Sequence, residues 1–164
     1  MSLTLHMARR AGSLAVAALL ASALDASAAS CTVSATAVAF GSYSPLSSTP
    51  ADANGSVTVS CAPVLVALTL PYTIALSTGS QGSFLPRQMS AGSQHLQYQL
   101  YTDLLRTTVW GNGNSGTALM NGNLGLLLVF PASAMHTVYG RIPSLQSSAA
   151  AGAYSDVITV TVTY

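Results

Sequence analysis

The stretch YSDVITVTVTY, residues 154–164, decides the fold. From Val157 onward every residue except the last is β-branched, and stiff branched side chains favour the pleated surface of a β-sheet. Successive residues of a strand point to opposite faces. We therefore predict a strand over Asp156–Tyr164 that ends inside its sheet, with the threonines on one face. The other face is predicted to carry Ile158, Val160, Val162 and Tyr164.

Seven further runs of alternating or apolar residues precede this one, separated by Gly, Pro, Ser and Asn. The clearest is GSVTVSC, because it places Val57, Val59 and Cys61 on one face. Short runs with turn residues between them, without helical periodicity, indicate an all-β sandwich or barrel. The predicted strands before the last are Thr32–Phe40, Gly55–Cys61, Thr69–Ser77, His95–Thr102, Thr107–Trp110, Leu124–Phe130 and Thr137–Ile142.

The first 28 residues have the order of a secretory signal peptide. Arg9 and Arg10 precede an apolar run, and small residues follow it, which predicts cleavage after Ala28 or Ala29. The apolar run over residues 11–24 is too short for a membrane span of about twenty residues. We expect residues 1–28 to be removed and residues 29–164 to form one exported domain without a transmembrane span.

The exported domain carries little charge. The chain contains no lysine and no glutamate, and the domain has three arginines against three aspartates. This composition excludes the basic surface of a nucleic-acid-binding protein and the acidic composition of a disordered tail. A surface of Ser, Thr, Asn, Gln and Gly suits an extracellular protein that packs against other proteins, because net charge normally keeps chains apart.

Cys31 and Cys61 both lie in the exported domain, and an even number of cysteines in an exported protein indicates a disulfide. Free thiols or a metal site are the alternatives, but two distant cysteines with no neighbouring histidine are poor metal ligands. Closing a loop of about thirty residues stabilises a fold by roughly 3–4 kcal/mol in the chain-entropy model. We expect this disulfide to tie the start of the first strand to the end of the second.

Two stretches, Pro63–Leu76 and Leu124–Phe130, are more apolar than strand alternation requires. Burial on both faces within the sandwich is one explanation. The other is an exposed apolar loop that contacts abiotic or cell surfaces, with Pro131 ending the strand before it. On that second interpretation the surface-contact residues are Leu126, Leu128, Phe130 and Met135.

The sequence contains no established catalytic motif, and we expect no enzyme activity, no cofactor and no metal site. A Ser-His-Asp triad would need His95 or His136 with Asp103, a combination that most compositions permit. Both histidines are interpreted as polar strand-end residues, and three carboxylates are too few for a metal cage. Asp103 and Arg106 are interpreted as a turn pair, or alternatively as residues that orient a loop or meet a partner.

Several segments together resemble the spore coat protein U domain, which also builds the subunits of archaic, Csu-type chaperone–usher pili. The resemblance runs in order along essentially the whole exported domain. It departs at the apolar stretches Val64–Leu70 and Leu124–Met135. The matching segments are Cys31–Ala35, Phe40–Tyr43, Val57–Cys61, Tyr98–Asp103, Arg106–Gly111, Val138–Pro143 and Gly152–Asp156 with the closing strand.

This resemblance implies an incomplete immunoglobulin-like β-sandwich that lacks one strand and leaves an apolar groove along a sheet edge. In such pili a periplasmic chaperone fills the groove, anchors the C-terminal carboxylate and pairs along the closing strand. At the usher, a neighbouring subunit's N-terminal extension then replaces the chaperone by β-strand addition. The implied edge for pairing with chaperone and donor strand is that of Ile158, Val160, Val162 and Tyr164.

Cleavage after Ala28 leaves two residues before Cys31, whereas a donor strand needs about ten. The expected protein is therefore a non-enzymatic subunit of a cell-surface fibre that accepts a strand without donating one. It would be exported through the periplasm to the cell surface. The alternative is a coat or matrix protein that folds alone and coats cells or spores without an usher.

Overall fold

The computed structural model describes residues 30–63, 69–125 and 130–164, so the predicted signal peptide lies outside the described residues. Every regular element within those ranges is a β-strand, and the strands form two sheets. This confirms the predicted all-β sandwich. The strands are β1 (Cys31–Thr36), β2 (Ala51–Cys61), β3 (Thr69–Leu76), β4 (Arg87–Ala91), β5 (Gln94–Tyr101), β6 (Met120–Gly125), β7 (Ala132–Ile142) and β8 (Val160–Thr163).

The larger sheet has the order β1-β2-β7-β5-β4, and the smaller sheet has the order β6-β3-β8. All of these strand pairs are antiparallel. The edges of the larger sheet are therefore β1 and β4, and those of the smaller sheet are β6 and β8. In the described part of the chain, no helix has the length and apolar character to cross a membrane.

The two sheets enclose an apolar core because alternate residues of each strand face inward. In β2 from Gly55 to Cys61 the inward-facing residues are buried, while those between them are half-buried. The segment containing Trp110 adds the largest fully buried side chain to this core. The buried apolar residues are Val57, Val59, Cys61, Tyr72, Ile74, Leu76, Met89, Leu96, Tyr98, Leu100, Trp110, Leu124, Val138 and Ile142.

Strand β1 is fastened to β2 at both of its ends. Cys31 lies opposite Cys61 in the strand register, and the two form a disulfide. At the other end the hydroxyl groups of Thr36 and Ser56 are 2.8 Å apart and hydrogen-bonded. The disulfide thus ties the start of the first strand to the end of the second, in the arrangement that the sequence predicts.

The predicted strand Thr107–Trp110 is wrong, and β4 is a strand that the sequence analysis missed. The backbone N–H of Trp110 donates to Leu100 of β5 at 2.9 Å, and its indole N–H donates to Ile74 of β3 at 3.0 Å. The segment therefore connects the two sheets instead of extending either one. Its β-branched and aromatic residues have the composition of a strand, but tertiary contacts determine their conformation.

Three other strands begin four or five residues earlier than predicted, and β2 is the first of them, starting at Ala51 instead of Gly55. β6 starts at Met120, and within it Gly122 lies under the ring of Tyr72, which a Cβ atom there would overlap. β7 starts at Ala132, so Pro131 precedes a strand instead of ending one. His136 consequently lies inside β7 and not at a strand end, which corrects its interpretation from the sequence.

His136 and Tyr72 form a polar contact between the two sheets. The Nε2 atom of His136 lies 2.7 Å from the hydroxyl oxygen of Tyr72, and the rings meet edge-on at a centroid distance of 5.7 Å. Burial lowers the pKa of His136. His136 therefore binds a proton less readily in the folded protein than in the unfolded chain, where a histidine is protonated below about pH 6.5.

We expect the stability of the protein to fall as the pH is lowered from 7 to 5. The unfolded chain binds more protons than the folded chain in this window, because the folded pKa of His136 is the lower one, so stability must rise with pH. Thermal unfolding midpoints at pH 7, 6 and 5 would measure this slope. His136→Gln should flatten it. If His136→Gln kept the full dependence of stability on pH, His136 would not be the group responsible for it.

Candidate functional site

An open groove lies between the edge strand of one sheet and the edge strand of the other. A cavity of ≈ 470 Å³ opens here, where the end of β1 approaches the start of β8. Its lining is mostly apolar and comes from both sheets. The lining residues are Ala35, Thr36, Ala37, Val38, Phe40, Ser56, Val57, Leu76, Met89, Tyr98, Leu100, Val138, Tyr154, Ser155, Asp156, Ile158 and Val160.

The inward-facing residues of β1 are exposed along this groove. Val33 lies opposite Val59 in the register, yet Val33 is 42% exposed whereas Val59 is fully buried. Ala35, opposite the buried Val57, is exposed as well. In the ranges that the structure describes, neither sheet supplies a strand to cover the interior along β1, and this side of the sandwich is exposed there.

β8 forms the other side of the groove and has the predicted alternation. Its threonines are exposed, while Ile158, Val160 and Val162 are half-buried against the core. Ile158 and Val160 line the cavity, and Tyr164 is 52% exposed. β8 pairs with β3 through Thr73–Leu76 and is the last strand of its sheet. Its second edge is thus not paired in either sheet of the described chain.

The strand itself is shorter than the predicted Asp156–Tyr164, because the chain changes sheets on the way. Ser155 exchanges two backbone hydrogen bonds with Ser90 of β4, at 2.9 and 3.1 Å, in the larger sheet. Pairing with the smaller sheet begins when Ser77 donates its N–H to the carbonyl of Thr159 at 3.0 Å. Residues 156–158 therefore cross between the sheets at the end of the groove.

Asp156 fixes this crossing. Its Oδ2 accepts a hydrogen bond from the Tyr98 hydroxyl at 2.5 Å, and its Oδ1 accepts from the backbone N–H groups of Ser80 and Val157 at 2.7 and 2.8 Å. Burial acts to raise the pKa of Asp156, but these hydrogen bonds outweigh it and hold the pKa below its usual value. Burial, together with the same contact, raises the pKa of Tyr98. The groove thus carries one fixed carboxylate in an otherwise largely apolar wall.

Three of the charged residues are paired with one another at the surface. Arg141 binds Asp52 through two hydrogen bonds of 2.7 and 2.8 Å, and Arg106 approaches the same carboxylate at 3.3 Å. Asp103 instead accepts hydrogen bonds from the backbone N–H groups of Thr107 and Thr108. Asp103 and Arg106 therefore hold one loop in place by separate contacts instead of pairing their side chains.

The residues considered for catalysis do not assemble into a triad. His136 is hydrogen-bonded to Tyr72, and Asp103 to its own turn. His95 lies near the start of β5 with an exposed side chain. In the ranges that the structure describes, no cluster of three or more His, Cys, Asp or Glu side chains could hold a metal ion.

The predicted surface-contact residues fall in two groups. Leu126 and Leu128 lie outside the described residues. Phe130 and Met135 are 71% and 69% exposed. Met135 belongs to β7, opposite Thr58 on the outer face of the larger sheet, and so is not part of a loop. Leu124 is buried in the core, so burial explains at least the beginning of this apolar stretch.

A solved pilus structure shares this architecture. A chain in the crystal structure of the CsuC-CsuE chaperone-tip adhesion subunit pre-assembly complex, from archaic chaperone-usher Csu pili of Acinetobacter baumannii, matches with a TM-score of 0.54. The sequence identity is 20%, over 84% of this chain and 40% of that chain, so less than half of the solved chain is matched. At this identity the likeness concerns the fold, and it confirms the predicted immunoglobulin-like β-sandwich.

The sequence matches a known family along most of its length. The family model described as Spore Coat Protein U domain matches residues 15–161. Protein U of Myxococcus xanthus is 35% identical over 133 residues, which cover 76% of this chain and 70% of that protein. The chain therefore belongs to the Spore Coat Protein U domain family.

Proposed function

We propose that this protein is a non-enzymatic structural subunit of a cell-surface fibre, whose sandwich is completed by an extended strand from another chain. The exposure of Val33, an inward-facing residue of β1 opposite the fully buried Val59, carries the proposal. Covering apolar surface contributes roughly 25 cal/mol per Å². A strand laid in the groove would also pair with the free edges of β1 and β8, which is the β-addition mode of recognition.

The partners we infer are a periplasmic chaperone, an usher and neighbouring fibre subunits. The Csu crystal structure contains a chaperone bound to a tip adhesion subunit before assembly, and family membership makes the same arrangement reasonable for this chain. The chaperone would occupy the groove first and a subunit's strand would follow. The pairing edge would be that of Ile158, Val160, Val162 and Tyr164.

Export through the periplasm to the cell surface is part of the same proposal. Residues 1–28 would be removed as a signal peptide, leaving residues 29–164 as the exported domain. With cleavage after Ala28 or Ala29 the segment before Cys31 would be too short to donate a strand. N-terminal sequencing of the exported protein should therefore begin at Ala29 or Ser30, and a start that left about ten residues before Cys31 would restore the capacity to donate.

The exposed side chains of Phe130 and Met135 support a contact with abiotic or cell surfaces, which we keep as a subsidiary proposal together with Leu126 and Leu128. Apolar side chains adhere by removing area from water, without chemical specificity. Phe130→Ser with Met135→Ser should reduce adhesion of cells to polystyrene and leave fibre assembly intact. Unchanged adhesion would remove this role from the protein.

A coat or matrix protein that folds alone is the second candidate function, and the description of the family as a spore coat domain favours it. The chain would then remain folded and monomeric without any partner. A peptide strand would neither bind it nor raise its thermal unfolding midpoint. The two candidate functions thus make opposite predictions for one measurement.

The decisive substitution is Val160→Asp. Val160 faces the groove, so a carboxylate here would be trapped unpaired beneath an incoming strand, at a cost of several kcal/mol. We expect binding of the chaperone, or of a soluble peptide of about ten alternating valine and threonine residues, to weaken at least tenfold. Isothermal titration calorimetry would measure the affinity of the peptide.

Thr161→Asp is the matched control, because Thr161 lies on the same strand and faces outward. It should bind the peptide as the wild-type protein does. Both variants should remain folded by circular dichroism, since Val160 is only half-buried and Thr161 is exposed. If the wild-type protein binds neither chaperone nor peptide, the strand-accepting function is wrong and the self-folding coat protein is favoured.

A further inference from the structure

The chain leaves the larger sheet after Thr36 and turns into the sandwich, although the sequence predicts that the strand continues to Phe40. Val38 and Phe40 are half-buried and pack against the core. The ring of Phe40 meets that of Tyr98 edge-on, with 6.2 Å between centroids. The segment therefore fills part of the space between the two sheets.

Two glycines provide the room for these side chains. A Cβ atom at Gly140 of β7 would lie 2.5 Å from Val38 Cγ1 and 2.8 Å from Phe40 Cζ. One at Gly55 of β2 would lie 2.9 Å from Val38 Cγ2. Neither glycine has a positive φ angle, so the backbone conformation does not require glycine here. The absent side chains instead form a cradle on the inner face of the larger sheet.

Val38 and Phe40 also separate two cavities. Both residues line the groove cavity of ≈ 470 Å³ and a second cavity of ≈ 660 Å³. The second cavity continues over the inner face of the larger sheet, where Leu96 and Ile142 form its floor. Its outer wall is the small-residue segment 149–153. Val38 and Phe40 are the residues of the inserted segment at the boundary between the two cavities, a boundary that Met89 and Tyr154 share.

We propose that Val38 and Phe40 form a stop that sets the length of the strand the groove accepts, an inference that rests on the proposed strand-accepting function. A strand entering beside β1 and β8 advances about 3.3 Å per residue and turns every second side chain inward. Its inward side chains fill the first cavity until they meet Val38 and Phe40. Residues beyond that point find no apolar site, so a longer strand binds no better than a short one.

The test compares peptides of different length on the full exported chain. The short peptide has about ten alternating valine and threonine residues, and two longer ones carry two further valine–threonine pairs at either the N- or the C-terminus. Calorimetry gives the dissociation constant of each. For the wild-type protein we expect the longer peptides to bind within about twofold of the short one.

Phe40→Ala removes the larger part of the stop while Val38 stays in the glycine cradle. One of the longer peptides should then bind about tenfold more tightly than the short one, the gain expected from burying one more valine-sized side chain. Leu145→Ala, at an exposed residue that lines neither cavity, is the control and should retain the wild-type pattern.

The outcomes separate the two proposals. If no peptide binds the wild-type protein, the strand-accepting function fails, and the stop fails with it. If the short peptide binds and a longer one binds the wild-type protein about tenfold more tightly, the strand-accepting function stands and the stop is wrong. This result is obtained on the wild-type protein alone and does not depend on whether a variant folds. A folded Phe40→Ala protein that is indifferent to peptide length would also overturn the stop.

Discussion

Arg87→Met is expected to lower the free energy of unfolding by about 3 kcal/mol or more, because it leaves buried carbonyl groups without donors. Arg87 is fully buried. Its guanidinium group donates to the carbonyl of Ser77 at 2.8 and 3.1 Å, to that of Trp110 at 2.7 Å, and to Gln99 Oε1 at 2.7 Å. Each acceptor left unsatisfied costs about 1–3 kcal/mol. A loss of this size is a large part of a typical total stability of about 5–15 kcal/mol.

Arg87→Lys should lose most of the same stability. An ammonium group is a compact donor that cannot reproduce the planar fork of guanidinium, and here the fork reaches three acceptors in different segments of the chain. Burial lowers the pKa of Arg87, and the nearby Tyr98 and Asp156 act to raise it. The stability that residue 87 contributes therefore depends on the geometry of its hydrogen-bond donors as well as on its charge.

Urea unfolding followed by the fluorescence of the chain's single tryptophan would measure both variants. Arg141→Met is the control, because its side chain is 34% exposed and bound to Asp52, and exposed ion pairs contribute about 0–1 kcal/mol. Equal losses from Arg87→Met and Arg141→Met would show that the buried hydrogen bonds contribute no more than the surface pair.

Arg87 also explains why the sequence analysis missed β4. Arginine and glutamine in a segment that follows Pro86 suggest a polar surface turn, since charged side chains are seldom buried without a partner. The partners in this case are backbone carbonyls from Ser77 and Trp110, and no sequence pattern predicts them. Only the tertiary fold brings these carbonyls to Arg87.

The closing strand and the disulfide were predictable because the alternation of residues and the number of cysteines can be taken directly from the sequence. Alternation along β8 specifies which residues face inward, and the two cysteines begin β1 and end β2. The division of the groove was not predictable. Val38 and Phe40 continue the pattern of β1, and their inward turn depends on Gly55 and Gly140, which come from two other strands. The pattern of residues along the sequence does not show that these side chains will pack against glycines from distant strands.

The segment around Trp110 also differs from its prediction, and substitution of Trp110 is the second change with a large expected effect on stability. Trp110 was predicted to lie in a strand, yet it connects β5 to β3 through its backbone and its indole group. Its side chain is fully buried, so Trp110→Ala would leave a large cavity between the sheets. Substitutions of this kind cost about 3–5 kcal/mol through lost burial and the unfilled volume.

Trp110→Phe separates volume from hydrogen bonding at this position. Phenylalanine retains most of the apolar contact but no longer donates to the carbonyl of Ile74, which should cost about 1–2 kcal/mol. Far-ultraviolet circular dichroism in urea is the appropriate measurement, because both substitutions remove the only fluorescent tryptophan. The expected order of stability is wild type, then Trp110→Phe, then Trp110→Ala. If Trp110→Ala lay within about 1 kcal/mol of the wild type, neighbouring side chains would have filled the space, and the connection between the sheets would rest on the backbone of residues 109–111.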